Sequence, residues 1–316
     1  MNYVPVRIST LKSHLPLKFN VYVKLPSKYL LYVKNGDEIE KDRIQNLKKK
    51  KVRKLFITES DEQNYQEFLD ECLSQTMTDE NVSMEEKTQV VIGVSETAAQ
   101  DVYEDPQSAK AYKAAKRASD GLVKVMNQND GVLKAILKRT EQESEDLIER
   151  IQAHAVNTSS LCVAFGEFIG LDSSSQERLA LASLYHDIGF LKVSPEAQEF
   201  FFQDIGQKHI SELGDYGEHP FLGAQMLQDK EFATPEILDL IKTHEERVNG
   251  TGFPKKLQKL PLEQEVHALC CYYDRRVTCL KQQDESVIND LMINEIGNFN
   301  LETLTKFKKF LKTNVL

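Results

Sequence analysis

The chain has 316 residues, of which 41% are hydrophobic and 28% are charged, and its formal net charge is −9. This length allows one large domain or two ordinary ones with a buried core. The chain contains no run of about 18 apolar residues and no signal-peptide pattern at its start, so we expect no membrane span. An acidic chain without a basic stripe is not expected to bind duplex nucleic acid. Its five cysteines form no CxxC pair, which favours reduced thiols and a cytoplasmic protein.

The first part of the chain has the pattern of a small α/β domain. Apolar and polar residues alternate from Phe19 to Leu25, and a second β-rich run from Tyr29 to Val33 ends at the turn signal Asn35-Gly36-Asp37. A third strand is predicted at 52–57, and helices are predicted at 42–49 and 61–73. The sequence therefore predicts a small α/β domain at residues 1–75, with a regulatory or partner-binding role.

Residues 76–316 differ in composition from this predicted α/β domain. Residues 76–105 are rich in polar side chains and are predicted to be a linker with at most a short helix at 85–94. From residue 106 onward, Ala, Lys and Leu recur at helical spacing, so residues 106–316 are predicted to form an all-helical domain. Helices are predicted up to about 168 with a break near 127–131, and then at 174–185, 220–227, 235–246, 262–280 and from 301. The predicted fold class is α+β overall.

Histidines and acidic residues in this second part have local signatures of a metal site. The segment His186-Asp187-Ile188-Gly189 follows a helical apolar run. Adjacent helix residues point about 100° apart, so its His and Asp can reach one site only at a helix end. His219 lies at a predicted helix start, His244-Glu245 at a predicted helix end, and Asp274 on the following helix. His154 lies on the apolar face of its helix, where a structural core histidine is the alternative.

Imidazole and carboxylate groups that converge from different helices form a nitrogen and oxygen ligand set. Such a set suits iron, manganese or zinc better than calcium or magnesium. The absence of paired cysteines argues against a structural zinc site. One carboxylate such as Asp187 can bridge two ions, and two ions about 3.5–4 Å apart can clamp a hydroxide for in-line attack on phosphorus.

Four separated blocks of this sequence resemble the HD-GYP family, a subgroup of the HD-superfamily metal-dependent phosphohydrolases. The blocks are His154, His186-Asp187-Ile188-Gly189, His219-Pro220-x-x-Gly223 and the segment from His244 to Pro254. They occur in the family order between about residues 145 and 282. The resemblance implies an all-α HD-type helical bundle that hydrolyses the bacterial second messenger cyclic di-GMP at a two- or three-metal centre, often with iron. Nothing in residues 1–105 contributes to it.

The resemblance also implies two divalent metal ions, with iron as the first choice and manganese as the second. The implied metal ligands are His154, His186, Asp187, His219, His244, Glu245 and Asp274, of which His186 and Asp187 are also the implied catalytic residues. Glu245 replaces a His of the family. An alignment places the last family Asp at Cys271, but Asp274 on the same helix face is favoured because it offers a carboxylate. Arg150 replaces the family Glu that binds a third metal, which favours a two-metal site.

Other positions depart from the family pattern near the implied substrate pocket. Phe190 replaces the Lys of the family HDxGK motif, and Phe253 replaces the Tyr that names the family. The candidate substrate-binding cations are Lys192, an imperfect stand-in for that Lys, together with Arg247 and Lys255. Surface solvation is the alternative for each. His209 and His267 match no ligand position and are expected to be structural or exposed.

The leading hypothesis is a bacterial signalling phosphodiesterase that hydrolyses cyclic di-GMP through a metal-bridged hydroxide. The first alternative is a catalytically weak or inactive cyclic di-GMP receptor or adaptor. It would keep the metal site but have lost turnover through the changes at Phe190, Asn249 and Phe253. The second alternative is an HD phosphohydrolase of another nucleotide. The expected partners are the nucleotide and signalling proteins bound by the N-terminal domain or by the Gly252-Phe253-Pro254 loop.

Overall fold

The computed structural model describes residues 2–11, 15–50, 52, 54–128, 131–140, 146–205 and 210–316. The chain divides into two compact units, Met1–Thr97 and Ala98–Leu316. The first unit contains a β-sheet with helices, and the second is mostly helical. The predicted fold class, a small N-terminal unit of mixed structure followed by a helical bundle, is confirmed.

A four-stranded antiparallel sheet with the order β1-β4-β2-β3 forms the first unit. Its strands are β1 at Tyr3–Arg7, β2 at Val21–Leu25, β3 at Lys28–Val33 and β4 at Lys54–Thr58. The sequence predicted the last three strands but not β1. β1 contains Pro5, which lacks a backbone N–H and is tolerated only where a strand lies at a sheet edge. β1 is such an edge strand, which explains why the pattern of its residues was a weak signal.

Two helices follow the strands of this unit, α1 at Lys41–Lys49 and α2 at Glu62–Thr78. Phe19, which precedes β2, packs edge-on against Tyr65 and Phe68 of α2, with ring centroids 5.6 and 5.5 Å apart. The Tyr65 hydroxyl also forms a hydrogen bond with Thr10 Oγ1 at 2.8 Å. These contacts attach α2 to the segments that lead into β2.

A long helix, α3 at Met84–Glu104, occupies most of the predicted linker. The sequence predicted only a short helix at 85–94. The first half of α3 is rich in β-branched residues, which have lower helix propensity, but Val90, Val91 and Ile92 are fully buried. Burial of their side chains offsets that cost. The division of the chain at residues 75 and 105 stays a prediction.

The second unit consists mainly of helices. They are α4 at Ala109–Met126, α5 at Gly131–Thr140, α6 at Leu147–Phe168, α7 at Ser173–Tyr185, α8 at Pro195–Gln198, α9 at His219–Leu227, α10 at Pro235–Thr243, α11 at Leu262–Asp274, α12 at Asp284–Leu291 and α13 at Leu301–Asn314. α6 packs against α7 and α11, and α10 packs against α7 and α9. Several of these helices begin at capping side chains; for example, Asp146, Asp172 and Thr234 each accept a backbone N–H of the first turn.

The 3-10 turn at Ile188–Leu191, which follows α7, lies directly against the start of α9. A Cβ added at Gly189 would lie 1.9 Å from the carbonyl oxygen of His219 and 2.9 Å from the amide nitrogen of Gly223. Only a glycine lets the two backbones approach so closely. This contact fixes the His186-Asp187 segment next to His219.

The helix predicted at 262–280 is regular only over α11. Residues Arg275–Cys279 continue it as one π-helical turn, in which each hydrogen bond spans an additional residue. Within the described ranges, no helix has both the length and the apolar composition that crossing a membrane would require.

Candidate metal centre

Five buried side chains converge from four different helices of the second unit. They are His154 in the middle of α6, His186 and Asp187 after α7, His219 at the start of α9 and His244 after α10. Each of them is at most 2% exposed. The sequence predicted all five as metal ligands, and the structure brings them together in two groups whose candidate ligand atoms lie within 4.8 Å of one another.

Hydrogen bonds set the orientation of all four imidazoles. Three rings donate from Nδ1 to the backbone carbonyl three residues earlier, each at 2.7 Å: His186 to Ser183, His219 to Tyr216 and His244 to Ile241. The fourth, His154, donates from Nδ1 to Oδ2 of Asp274 at 2.7 Å. Because carbonyl and carboxylate oxygens only accept, a neutral ring in each position carries its proton on Nδ1 and presents a lone pair on Nε2.

These Nε2 atoms face one another in pairs across Asp187. His154 and His186 form one pair with an Nε2–Nε2 distance of 3.2 Å, and His219 and His244 form the other at 3.0 Å. Oδ2 of Asp187 is 3.1 Å from Nε2 of His186 and 3.8 Å from that of His154. Oδ1 is 3.3 Å from Nε2 of both His219 and His244. We call the group around Oδ2 the first half-site and the group around Oδ1 the second half-site.

The charge of Asp187 is stabilised inside the protein. Burial alone would raise the pKa of its carboxyl, but the surrounding imidazoles, His186 above all, hold that pKa well below the ordinary range. No described group donates a conventional hydrogen bond to Oδ2. When the four imidazoles are neutral, their Nε2 lone pairs and the buried carboxylate form a set of acceptors without donors, which is unfavourable unless a cation lies among them. The residues present therefore fit divalent metal ions.

Asp274, predicted as a metal ligand, lies behind His154. Its Oδ2 accepts the proton of His154 Nδ1, and its Oδ1 accepts hydrogen bonds from Asn157 Nδ2 and Thr278 Oγ1, both at 2.9 Å. A carboxylate in this position orients a metal-binding imidazole and raises its basicity. Asp274 is absent from the groups of closely spaced ligand atoms found among the described residues.

Glu245, also predicted as a ligand, lies in the wall of a cleft next to the second half-site. Its Oε1 accepts a hydrogen bond from the Tyr216 hydroxyl at 3.3 Å, and its Oε2 is 3.7 Å from Nη2 of Arg247. Burial alone would raise the pKa of Glu245, but Arg275 and then Arg247 bring it below the ordinary value. Glu245 is thus a charged side chain in the cleft wall that forms an ion pair with Arg247.

A small cleft opens onto both half-sites. It is lined by His154, His186, Asp187, Phe201, His244, Glu245, Arg247, Cys271, Tyr272 and Arg275. Of the three predicted substrate-binding cations, Arg247 lines the cleft, whereas Lys192 and Lys255 are exposed and do not. Arg275 also reaches the cleft, but its guanidinium donates to the carbonyl oxygens of Phe200, Phe201 and Gln203.

Glu246 holds the backbone of the loop that follows His244. Glu246 is fully buried, and its carboxylate accepts the backbone N–H groups of Lys255 at 2.5 Å and Leu257 at 2.9 Å. A Cβ at Gly252 would lie 2.2 Å from the amide nitrogen of Arg247, so the loop folds back tightly on that residue. Phe253 points inward, with its ring centroid 5.9 Å from that of Tyr216.

The aromatic ring of Phe190 lies beside the second half-site. It stacks on the imidazole of His219 with centroids 4.2 Å apart and an interplanar angle of 17°. The ring is 1% exposed, so it closes this side of His219 against solvent.

Two residues outside the predicted ligand set lie next to His186 of the first half-site, and one of them, Cys271, is the position at which the alignment places the last family Asp. A ring nitrogen of His267, Sγ of Cys271 and a nitrogen of His186 lie within 4.8 Å of one another, and all three residues are buried. Burial lowers the pKa of His267 and raises that of the Cys271 thiol, both well away from their ordinary values. The available signal was the four-residue spacing of His267 and Cys271, which places both on one helix face. His209 lies outside the described residues.

Comparisons with known proteins agree with this geometry. Residues 132–265 match the sequence model of the HD domain. The cyclic di-GMP phosphodiesterase PA4108 of Pseudomonas aeruginosa is 30% identical over 142 residues, which are 44% of this chain and 33% of that protein. The cyclic di-GMP phosphodiesterase PdeB of Borreliella burgdorferi is 32% identical over 104 residues, which are 33% of this chain and 26% of that protein. The matched regions therefore span a third or less of these curated relatives.

One solved structure resembles nearly the whole chain. It is Bd1817, an HDG"Y"P protein from Bdellovibrio bacteriovorus, which matches with a TM-score of 0.75 and 28% sequence identity. The match covers 98% of this chain and 100% of that chain. The similarity therefore extends to the N-terminal unit, for which the sequence had offered no family resemblance.

Proposed function

We propose that this chain, whose residues 132–265 match the HD domain and whose fold resembles that of an HDG"Y"P protein, is a metal-dependent phosphodiesterase that hydrolyses cyclic di-GMP. The observation that carries this proposal is the arrangement of four Nε2 lone pairs in two facing pairs around one buried carboxylate. The names of the two curated relatives support cyclic di-GMP as the substrate.

Each half-site would hold one divalent cation. His154, His186 and Oδ2 of Asp187 would bind the first, and His219, His244 and Oδ1 of Asp187 would bind the second, so Asp187 would bridge them. We propose iron as the first choice and manganese as the second, because both accept nitrogen and oxygen donors. When bound, two such cations polarise phosphorus–oxygen bonds and lower the pKa of water so that it supplies hydroxide at neutral pH.

The chain's own residues would position the substrate around that centre. Arg247 lines the cleft and offers a guanidinium to a nonbridging phosphate oxygen. Glu245 holds Arg247 in place and, with its lowered pKa, carries a negative charge at neutral pH. Burial raises the pKa of Tyr216, so its hydroxyl stays protonated as the donor to Glu245.

A cyclic di-GMP receptor without turnover is the second candidate. Phe190 favours it, because this ring stacks on His219 at the position where the family motif has a Lys that could hold a phosphate. An HD phosphohydrolase of another nucleotide is the third candidate, since the site features around phosphorus would be the same.

The proposal includes protein partners and a cytoplasmic location. The β2–β3 hairpin of the N-terminal unit exposes Leu25, Leu30 and Leu31, which supports a partner-binding role for that unit. The loop that contains Gly252-Phe253-Pro254 is the other proposed contact. The five cysteines are all free thiols, as expected in a reducing compartment.

Metal analysis combined with a nucleotide assay tests these candidates. Protein loaded with Fe²⁺ or Mn²⁺ without oxygen should contain about two metal ions per chain and convert cyclic di-GMP. The variant Asp187→Ala should lose both metal and turnover while its circular dichroism spectrum remains that of the unaltered protein. Full metal content without product under any condition would favour the receptor, and product from a different nucleotide alone would favour the third candidate.

A further inference from the structure

Helix α11 presents a nitrogen and a sulfur atom to the first half-site. His267 and Cys271 are four residues apart and therefore lie on the same face of the helix. Their candidate ligand atoms and that of His186 lie within 4.8 Å of one another. Cys271 also lines the cleft beside His154 and Asp187. The sulfur atom thus lies near the His186 nitrogen and shares the cleft with the other side chains of the first half-site.

His267 provides an independent sign that this position faces a cation. Its Nδ1 donates to the carbonyl oxygen of Leu240 at 3.2 Å, which leaves the lone pair on Nε2. No hydrogen-bond partner of Nε2 exists among the described residues, and His267 is completely buried. A histidine that served only the core would be expected to satisfy both ring nitrogens, since a buried polar atom without a partner is costly.

The neighbouring cysteine shows that the placement of Cys271 is specific. The Cys270 thiol points to Cys162, whose sulfur in turn accepts a hydrogen bond from the Ser183 hydroxyl at 3.6 Å. Cys270 therefore packs against Cys162 of α6, whereas Cys271 lines the cleft. The two adjacent thiols provide a matched pair that differs in direction but not in chemistry.

From these contacts we propose that Cys271 binds the cation of the first half-site through its sulfur, with His267 as an adjacent nitrogen ligand. The inference rests on the proposed metal-binding function. It assigns a sulfur donor to the position where the alignment places the last family Asp, in place of the carboxylate of Asp274 that the sequence favoured. On binding, a sulfur–metal bond replaces the sulfur–hydrogen bond, and the released proton passes to water. The first half-site would then hold a thiolate and the second only nitrogen and oxygen donors.

A cobalt titration reads out the sulfur ligand directly. Metal-free protein is titrated with Co²⁺ without oxygen, and its near-ultraviolet absorption is recorded together with its cobalt content. A thiolate bound to Co²⁺ produces an intense sulfur-to-metal charge-transfer band, which nitrogen and oxygen donors do not. We expect this band in the unaltered protein and in Cys270→Ser, and its loss in Cys271→Ser and in Cys271→Asp while Cys271→Asp still binds cobalt.

The outcomes separate this inference from the proposed function. Binding of cobalt by the unaltered protein without a charge-transfer band would overturn the sulfur ligand and leave the metal centre standing. A band that persists in Cys271→Ser would overturn it as well. Failure of the unaltered protein to bind any cobalt would overturn both proposals. Thermal unfolding of each metal-free variant shows whether it is folded before the titration.

Metal preference offers a second readout that does not depend on activity. Thiolate favours softer ions, so the unaltered first half-site should prefer Zn²⁺ or Co²⁺ over Mn²⁺. Cys271→Asp should shift the ratio of these affinities toward Mn²⁺ by at least about tenfold, the size of effect that even outer partners of metal ligands produce. The variant His267→Gln should weaken binding at the first half-site alone. An unchanged affinity ratio in Cys271→Asp would contradict the proposal.

Discussion

The imidazoles of the two half-sites on either side of Asp187 are oriented by different kinds of partner. In the second half-site, both imidazoles are fixed by carbonyl groups three residues earlier in their own segments. In the first, His186 is fixed in that way, but His154 lies in the middle of α6, where the backbone carbonyls already belong to the helix. Its orientation depends instead on Asp274 of α11. A histidine at a helix end can thus be oriented locally, whereas one inside a helix needs a partner from elsewhere in the fold.

The half-sites also differ in what surrounds them. The second contains nitrogen and oxygen donors only and is covered by the ring of Phe190. The first has a thiol and an additional imidazole beside it, from Cys271 and His267. Two sites that share one carboxylate can therefore differ in the metal that they favour.

The largest effects should come from removing one ligand of a single half-site. His219→Gln should remove one of two metal equivalents and reduce turnover by more than about 10²-fold, because loss of a ligand exceeds the tenfold to hundredfold cost of losing an outer partner. His154→Gln should remove the other equivalent. Metal content by mass spectrometry and turnover of cyclic di-GMP measure these changes. Loss of both ions from each variant would show that the half-sites fill only together.

Replacement of Gly189 should affect the fold that both half-sites share. In Gly189→Ala, the new methyl group would meet the carbonyl of His219 at 1.9 Å, and the backbone must move to relieve the clash. We expect a loss of about 3 kcal/mol or more in the free energy of unfolding, measured by denaturant titration. The control is Gly166→Ala, where the nearest atoms are side-chain carbons at 3.4 Å, and it should change stability far less.

Asp274→Asn should sharpen the distinction between local and distant orientation. The change removes the negative charge that holds His154 Nδ1–H and should weaken metal binding at the first half-site by about 10- to 100-fold. The second half-site should be unaffected, because its imidazoles bond to backbone carbonyls. Calorimetric titration of metal-free protein resolves the two affinities. An equal loss at both would contradict the separate orientation of the half-sites.

The smallest predicted effect compares Arg247, which lines the cleft, with Lys192, which does not. Arg247→Ala should raise KM by about tenfold with little change in kcat, because it removes one charged hydrogen bond from the cleft. Lys192→Ala is the control, since that side chain is exposed and outside the cleft. Steady-state kinetics with cyclic di-GMP compare the variants. Equal KM values for both variants would remove Arg247 from the substrate site.

The sequence was most informative where a short segment alone determines the geometry. The metal-binding candidates His186, Asp187, His219 and His244 lie at helix ends. Neighbouring residues such as Gly189 and Pro220 mark two of those ends in the sequence. Asp274 and Cys271 both lie on α11, and their roles depend on which of them turns toward α6 and which toward the cleft. That choice follows from packing between helices far apart in the chain, which local spacing does not contain.

The same distinction applies to the fold. The strands with alternating polarity were predictable, but β1 depended on pairing with β4, some fifty positions later in the chain. The extent of α3 depended on burial of its β-branched residues, which their helix propensity opposes. In both cases a distant contact overrode a weak local preference.

The hydrogen bonds between Glu246 and the loop after His244 have a practical consequence. The carboxylate holds the main-chain N–H groups of Lys255 and Leu257, which every residue except proline possesses, so the exposed side chain of Lys255 is not needed for this contact. Exposed Lys255 could therefore be exchanged for a cysteine that carries a fluorescent label. Such a label would report on ligand arrival at the cleft from a fixed position, without disturbing the backbone path that it monitors.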